Sequence, residues 1–397
     1  MAADFKYIVI GAGMMGASAA RHLAEQSDGV GLIGPGEPAD IKNHEGVFAS
    51  HYDAARITRT IDSNADWARL ANRSIARYAE IERESGVEFY GEVGCLIVGK
   101  TRGTGFPYIE NVCAAADALG VETEILGDAA LAERFPYFSF ESGCEGVFEK
   151  NNAGYVNPRE LVRAQIVVAE KRGVTRVEDI AVSVREEGGL ATVTTASGHR
   201  YTADKVLVAA GGFSVAEGLL PQALEMNVYG RTVAFFEIPD DELHLYAGMP
   251  SLIYEPTDPR KHIYLLPPVR YPDGKVYLKI GGEPVDVLLN GDREIRDWFR
   301  AGGSAQVRDD LSGIVETLLP SIDRSRISMA GCVTSYTPSG FPAVGYTSSP
   351  NIAVLTGGCG AAAKSCDEIG RLGAELLVEG AVIDQGYEAD FAPSFSA

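Results

Sequence analysis

Tyr7-Ile8-Val9-Ile10 is apolar at every position, the pattern of a strand buried on both faces of a parallel sheet. It runs into Gly11-Ala12-Gly13-Met14-Met15-Gly16. Alanine-rich sequence from Ala17 to about Gln26 then predicts a helix, and Val30-Gly31-Leu32-Ile33 a second strand. The chain therefore opens with a strand–helix–strand unit and a parallel strand pair. Periodicity stops there. Gly34 to Asp62 is rich in Gly, Pro and Asn before turning polar, and reads as a long loop of a kind that is usually functional inside a compact domain. Helices are predicted around 64–85 and at Ile109–Leu119, with a strand over Gly94–Val98 between them.

A new pattern begins near Gly146. Gly154-Tyr155-Val156-Asn157-Pro158 leads into a helix from Arg159 to Lys171, with Asn157 as the cap and Pro158 in the first turn. Ala181–Arg185 and Ala191–Thr195 are β segments joined through Gly188-Gly189, and Lys205 to Ala210 is a second both-faces-apolar strand, ending at Gly211-Gly212. From Met226 to Val287 the pattern alternates and is rich in aromatics, as in an antiparallel sheet. Helices at about Arg293–Phe299 and Asp309–Leu318 follow. Strands at Ile327–Tyr336, Ala343–Gly345 and Ile352–Thr356 come next, and Gly357-Gly358-Cys359-Gly360 opens a last helix from Ala361 to about Val378. The fold class is α/β.

The chain has 397 residues, enough for two or three domains of roughly 100–200 residues each. Its net charge of -20, from 35 Lys+Arg against 55 Asp+Glu, argues against nucleic acid and against anionic membrane surfaces as partners. No apolar stretch approaches the ~20 residues of a membrane span, and the start has no basic segment followed by a long apolar run. The six cysteines form no CxxC pair, so no metal site is expected and a reducing compartment fits. The expectation is a cytoplasmic protein. His44 and His51 lack the companions a metal would need, and no GxSxG elbow supports nucleophilic hydrolysis.

The glycine motif between a strand and a helix suits a dinucleotide. Gly11, Gly13 and Gly16 permit a tight turn and close approach of a pyrophosphate, which then sits on the N–H groups of Met14, Met15 and their neighbours. A purely structural glycine turn is the alternative. The acid that normally follows about 20 residues later, for NAD or FAD ribose, is absent: Gly34 stands there. Glu37 is a candidate replacement or a solvated loop residue. Gly357, Gly358 and Gly360, opening the last helix, could aim its positive end at the pyrimidine edge of a flavin, or could serve packing alone.

Taken together, these segments resemble the FAD-dependent amine oxidases of the D-amino-acid oxidase superfamily, and are most similar to the monomeric sarcosine oxidase and N-methyltryptophan oxidase group. The resemblance runs from Tyr7 to Leu377. It rests on GAGMMG, Ala54-Ala55-Arg56-Ile57-Thr58-Arg59, Gly154-Tyr155-Val156-Asn157-Pro158, Arg176-Val177-Glu178-Asp179, Tyr201-Thr202-Ala203-Asp204-Lys205, Leu278-Lys279-Ile280-Gly281 and Gly357 to Lys364. It implies a Rossmann-like FAD-binding domain from 1–88, 151–224 and 327–397, and a substrate domain on a mostly antiparallel sheet from 89–150 and 225–326. It implies that Arg59 and Lys364 hold a substrate carboxylate, a planar fork joined by a point charge, and that Lys364 also borders the flavin. Arg56, Val177 and Gly211 contact FAD, Tyr336 belongs to the active site, and Lys279 activates O2 by stabilising developing negative charge. Without the resemblance, Arg59 and Lys364 read as surface ion pairs and Lys279 as a solvent-facing strand lysine.

The sequence also departs from that family. The cysteine that links flavin covalently in sarcosine oxidases aligns with Thr334. Cys332 lies two residues earlier on the same strand face, ~6.6 Å away, so FAD is expected to be non-covalent. Glu283 replaces a histidine and Leu265 a tyrosine near the substrate, and the glutamate could favour a substrate with a second cationic group. The implied activity is oxidation of a secondary or N-alkyl amino acid to an imine, with O2 as acceptor and hydrogen peroxide as product. Two alternatives stand beside it. One is a flavin dehydrogenase of a D-amino acid or 2-hydroxy acid with another acceptor; the other is a non-catalytic flavin-binding subunit.

Overall fold

The computed structural model describes residues 3–282, 285–384 and 386–396. Strand β1 (Phe5–Ile10) buries Tyr7 to Ile10 between two parallel neighbours, β2 (Val30–Ile33) and the strand Arg200–Val208. Arg200–Val208 in turn pairs in parallel with Ile352–Thr356 and carries the hairpin Ala181–Glu187/Leu190–Thr195 on its other end. Thr175–Val177 closes the far side against β2. This eight-stranded sheet draws on the start, middle and end of the chain.

Helix α1 (Met14–Ala24) begins inside the glycine motif, three residues before the sequence pattern suggests, because Gly13 adopts an extended conformation and takes the N-cap position. The last helix, Ala362–Glu379, lies against α1. Their approach is close: a Cβ on Gly370 would stand 2.4 Å from the Ser18 hydroxyl. Ser18 donates to the carboxylate of Asp367 at 3.1 Å. The same buried carboxylate accepts from Arg21 at 2.7 Å, Arg77 at 2.5 Å and Gln165 at 2.8 Å. It thereby joins α1, the last helix and the helix Pro158–Lys171 to Arg77, which caps Tyr78–Ser85.

A nine-stranded sheet forms the second layer, with Asn227–Glu237, Val276–Gly282 and Ile263–Arg270 antiparallel at its centre. One face is sealed by Val307, Leu311, Val315 and Leu318 of the helix Ala305–Leu318. That helix starts four residues before the sequence suggests, because Ser304 caps it by accepting from the Val307 N–H. The strand Ile327–Tyr336, allotted on sequence to the FAD-binding domain, hydrogen-bonds along its length to Asn227–Glu237 of this second sheet. The segment Glu124–Arg134, a short strand and helix, extends the same sheet. Glu283 lies outside the described residues.

Candidate active site

Between the two sheets lies a cavity of about 730 Å³. Gly11 to Met15, Gly34 and 179–181 line one end, while Gly16 packs behind them on the Gly11 carbonyl; Gly357–Lys364 and the uncovered face of the nine-stranded sheet line the other end. Gly11 has φ +105°, and a Cβ there would stand 2.3 Å from the Ala209 carbonyl oxygen, so only glycine fits. A Cβ on Gly13 would meet nothing nearer than His51 Nδ1 at 3.8 Å. The N-terminus of α1 has no side-chain cap, and neither has that of Ala362–Glu379. Two helix starts with open N–H donors thus border one cavity, an arrangement that suits an anionic pyrophosphate and an electron-rich ring. His51 lines it too; burial, with Arg159 and Arg56 adding repulsion, pulls its imidazole down to about 3, so it is neutral.

The remaining expected cofactor residues divide. Met14, Met15, Arg56, Gly211, Gly357, Gly358, Gly360 and Lys364 line the cavity. Val177 does not; its carbonyl accepts from the Gly34 N–H at 3.0 Å, and the next residues along, Asp179 to Ala181, form the wall. Glu37 is turned away and held by Arg159 through contacts of 2.6 and 2.8 Å. The acid that lines this end of the cavity is Asp179, not Glu37. A side chain at 34 would collide with the motif itself, since its Cβ would be 2.5 Å from the Ala12 nitrogen.

The loop between β2 and the helix Ala65–Ile75 supplies two ion-pair groups of the same construction. Asp53 bonds to Arg56 at 2.8 Å and to the Lys279 ammonium at 2.6 Å. Asp62 bonds to Arg59 at 2.9 Å and to the Lys364 ammonium at 2.5 Å. In each, an aspartate and an arginine three residues apart receive a lysine from a distant strand or helix. Arg59 and Lys364, from opposite ends of the chain, therefore meet on one carboxylate in the cavity wall. Arg59 Nε is buried without a hydrogen-bond partner.

Lys279 is fully buried on Val276–Gly282 rather than solvent-facing, and also donates to the Ala55 carbonyl. Lys275, on the same strand face by sequence, is exposed and paired with Glu237 just before that strand begins. Burial lowers the Lys279 pKa to about 8; Asp53 holds it up, Arg56 pushes it down. Lys364 is likewise lowered to about 8 by burial and Arg59, with Asp62 opposing.

On the sheet face, Tyr336 lines the cavity with its ring 5.8 Å from that of Tyr229. Leu265 does not: it packs into the core on the opposite face, while its neighbour Tyr264 faces the cavity. One position along a strand reverses the face. Sequence reasoning also passed over Arg231, Glu255 and His262, all cavity-lining. Arg231 donates to the Thr334 hydroxyl at 2.9 Å, which places Thr334 in a polar contact beside Cys332. Asp53 and Asp62 were visible only as acids spaced three residues from arginines. Among the described residues no group of His, Cys, Asp and Glu could hold a metal ion.

A family model described as FAD dependent oxidoreductase matches residues 6–376. The chain belongs to this family of FAD-dependent oxidoreductases. It is similar to a monomeric sarcosine oxidase of Bacillus sp. (strain NS-129), 25% identical over 96% of this chain and 94% of that protein. It is also similar to the peroxisomal sarcosine oxidase of Mus musculus, 25% identical over 94% of this chain and 92% of the relative. Its fold matches an open form of a variant of NikD, an unusual amino acid oxidase essential for nikkomycin biosynthesis, with a TM-score of 0.79 at 21% identity, covering 100% of this chain and 98% of the other. The protein is an FAD-dependent oxidoreductase, and the glycine cradle and paired helix starts fit FAD. Among the described residues no helix is long and apolar enough to cross a membrane.

The geometry at Gly34 makes a prediction. Gly34→Asp, which installs the missing acid, should weaken FAD binding to the apoprotein at least about tenfold by displacing the Ala12 backbone. Flavin fluorescence quenching measures this, and tighter binding would refute it.

Proposed function

We propose that this member of the FAD-dependent oxidoreductase family is an oxidase of a secondary or N-alkyl amino acid, acting on its C–N bond. The observation that carries the proposal is the convergence of Arg59 and Lys364 in one cavity wall, sharing a single carboxylate. A site that holds one carboxylate between a guanidinium and an ammonium suits the acid group of an amino acid. When bound, FAD supplies the redox chemistry, accepting a hydride from the amine's α-carbon and returning two electrons to O2 to give hydrogen peroxide, while the imine product hydrolyses in water.

The chain's part is binding and electrostatics. Arg59 and Lys364 orient the substrate by its carboxylate, and Tyr336 and Tyr264 provide the wall against which its alkyl portion rests. Fixed positive charge favours the neutral amine, the form that can release a hydride, so no protein base is required. Lys279 is the group assigned to O2 activation; it lies behind the cavity wall rather than in it, so its ammonium acts through space, stabilising negative charge as electrons leave. Asp53 keeps that ammonium charged despite full burial. The same ion pair favours the competing reading, a dehydrogenase with a non-oxygen acceptor, since a neutralised, enclosed lysine offers O2 less field.

Four experiments test these assignments. Anaerobic addition of N-methyl, cyclic and D-amino acids should bleach the flavin with at least one of them. Arg59→Ala should lower kcat/KM for that substrate roughly 10–100-fold, mainly through KM, and spare its decarboxylated analogue; equal effects on both remove the carboxylate assignment. Lys279→Met should slow reoxidation of the chemically reduced protein by O2 about a hundredfold, whereas an unchanged rate supports the dehydrogenase. FAD is proposed to be non-covalent, so acid precipitation should leave the colour in the supernatant; a yellow pellet would point to linkage.

A further inference from the structure

In the carboxylate clamp, the place between the two cations is already taken. Asp62 Oδ2 lies 2.9 Å from an Arg59 nitrogen and 2.5 Å from Lys364 Nζ, and all three residues line the cavity. Among these three groups two cations share one anion, with Glu149 and Glu255 also within electrostatic reach of Arg59, and one donor, Arg59 Nε, is buried and unused. Asp62 is tethered three residues from Arg59, so its local concentration at the clamp is far above that of any free carboxylate.

Asp62 also has somewhere else to go. Its Oδ1 accepts the Asn64 N–H at 3.1 Å, and Asn64 is the N-cap of the helix Ala65–Ile75. A carboxylate released from the cations can keep that contact at the positive end of a helix. Asp53 has no such freedom. It is enclosed by Arg56, Lys279, the Tyr271 hydroxyl at 2.9 Å and the Ala54 N–H at 2.8 Å, and neither it nor Lys279 lines the cavity.

We propose that Asp62 is a built-in competitor for the carboxylate clamp, displaced by the substrate's own carboxylate, and that it is therefore a specificity-determining residue. It excludes small monocarboxylates and admits only carboxylated amines whose remaining contacts in the cavity outweigh the exchange. The proposal rests on the reading of Arg59 and Lys364 as the carboxylate site. Removing Asp62 leaves two adjacent buried cations without the carboxylate they both contact, a costly state that an anion from solution relieves. The variant should thus gain affinity for simple carboxylates, an outcome that damage to the fold cannot produce.

The test uses holoenzyme in halide-free buffer at several pH values from about 6.5 down to about 5.5, because the Lys364 pKa of about 8 is held up by Asp62 and falls further in variants that lack that carboxylate. Wild type, Asp62→Asn and Asp62→Ser are titrated with acetate and with propionate, following the flavin absorption spectrum and the rise in melting temperature. The expected result is at least a roughly tenfold lower Kd in both variants, with a larger thermal shift at the same anion concentration. Equal or weaker binding in both variants overturns the proposal. Arg59→Ala in the Asp62→Asn background separates the two layers of inference. Abolished binding places the anion at the clamp, whereas undiminished binding shows that it lies elsewhere and overturns the clamp reading along with the proposal. If no amine bleaches the flavin but these titrations behave as expected, the amine-oxidase reading fails and the role of Asp62 at the clamp stands.

Discussion

The buried carboxylate of Asp367 holds the cavity together. It accepts from Ser18 and Arg21 on α1, from Gln165 on Pro158–Lys171, and from Arg77. An anion fully removed from water is tolerated only when its partners are charged and well placed. Here those partners bring four distant pieces of chain to one point. Because α1 and the last helix are pinned side by side near this carboxylate, their N-termini open on the same space. The glycine turn near residue 11 and the one near residue 357 become two ends of a single cradle. Lys364, one turn upstream of Asp367 on the last helix, is carried into the cavity wall by the same anchoring.

The active site shows a second regularity, in how a strongly acidic protein keeps cations buried. Asp53-x-x-Arg56 and Arg59-x-x-Asp62 are mirror spacings within ten residues of one loop, each completed by a lysine from elsewhere. Burial drives both lysines down to about 8, and each is kept from falling further by its aspartate. Each pair of cations therefore shares a carboxylate in direct contact rather than relying on the surface charge of the molecule, which screening would weaken. The loop that supplies them has little regular structure, since its residues are arranged around these contacts instead of a backbone ladder.

What could be read from the sequence follows from how local each constraint is. The positions around Gly11 and Gly357 were legible because a turn that excludes a Cβ is written in the residue itself. The helix at 158–171 was legible for the same reason, Asn157 and Pro158 being a cap and a first-turn residue wherever they occur. The two aspartates were not, because an acid three residues from an arginine in a loop looks like a solvated pair until Val276–Gly282 and the last helix deliver the lysines. Tyr264 was missed through register: the family resemblance put Leu265 near the substrate, and the sheet turns that side chain into the core. The pairing of the strand Ile327–Tyr336 with Asn227–Glu237 was not legible, because sequence order carries no information about which strand edge is vacant.

The two ion-pair groups, so alike in composition, differ in what surrounds the carboxylate, and that difference sorts their roles. Asp53 has its oxygens saturated by a hydroxyl and a backbone N–H in addition to its cations, in a place the cavity does not reach. Exchange of that carboxylate for any other anion would cost several buried hydrogen bonds with no route for water to replace them. Asp62 faces the cavity, keeps a helix-end contact after leaving its cations, and sits beside a guanidinium nitrogen with no partner. The same three charged residue types thus give a fixed group in one position and an exchangeable one in the other. It is the second that can read a ligand's charge, and the first that can hold a constant field whatever ligand is bound.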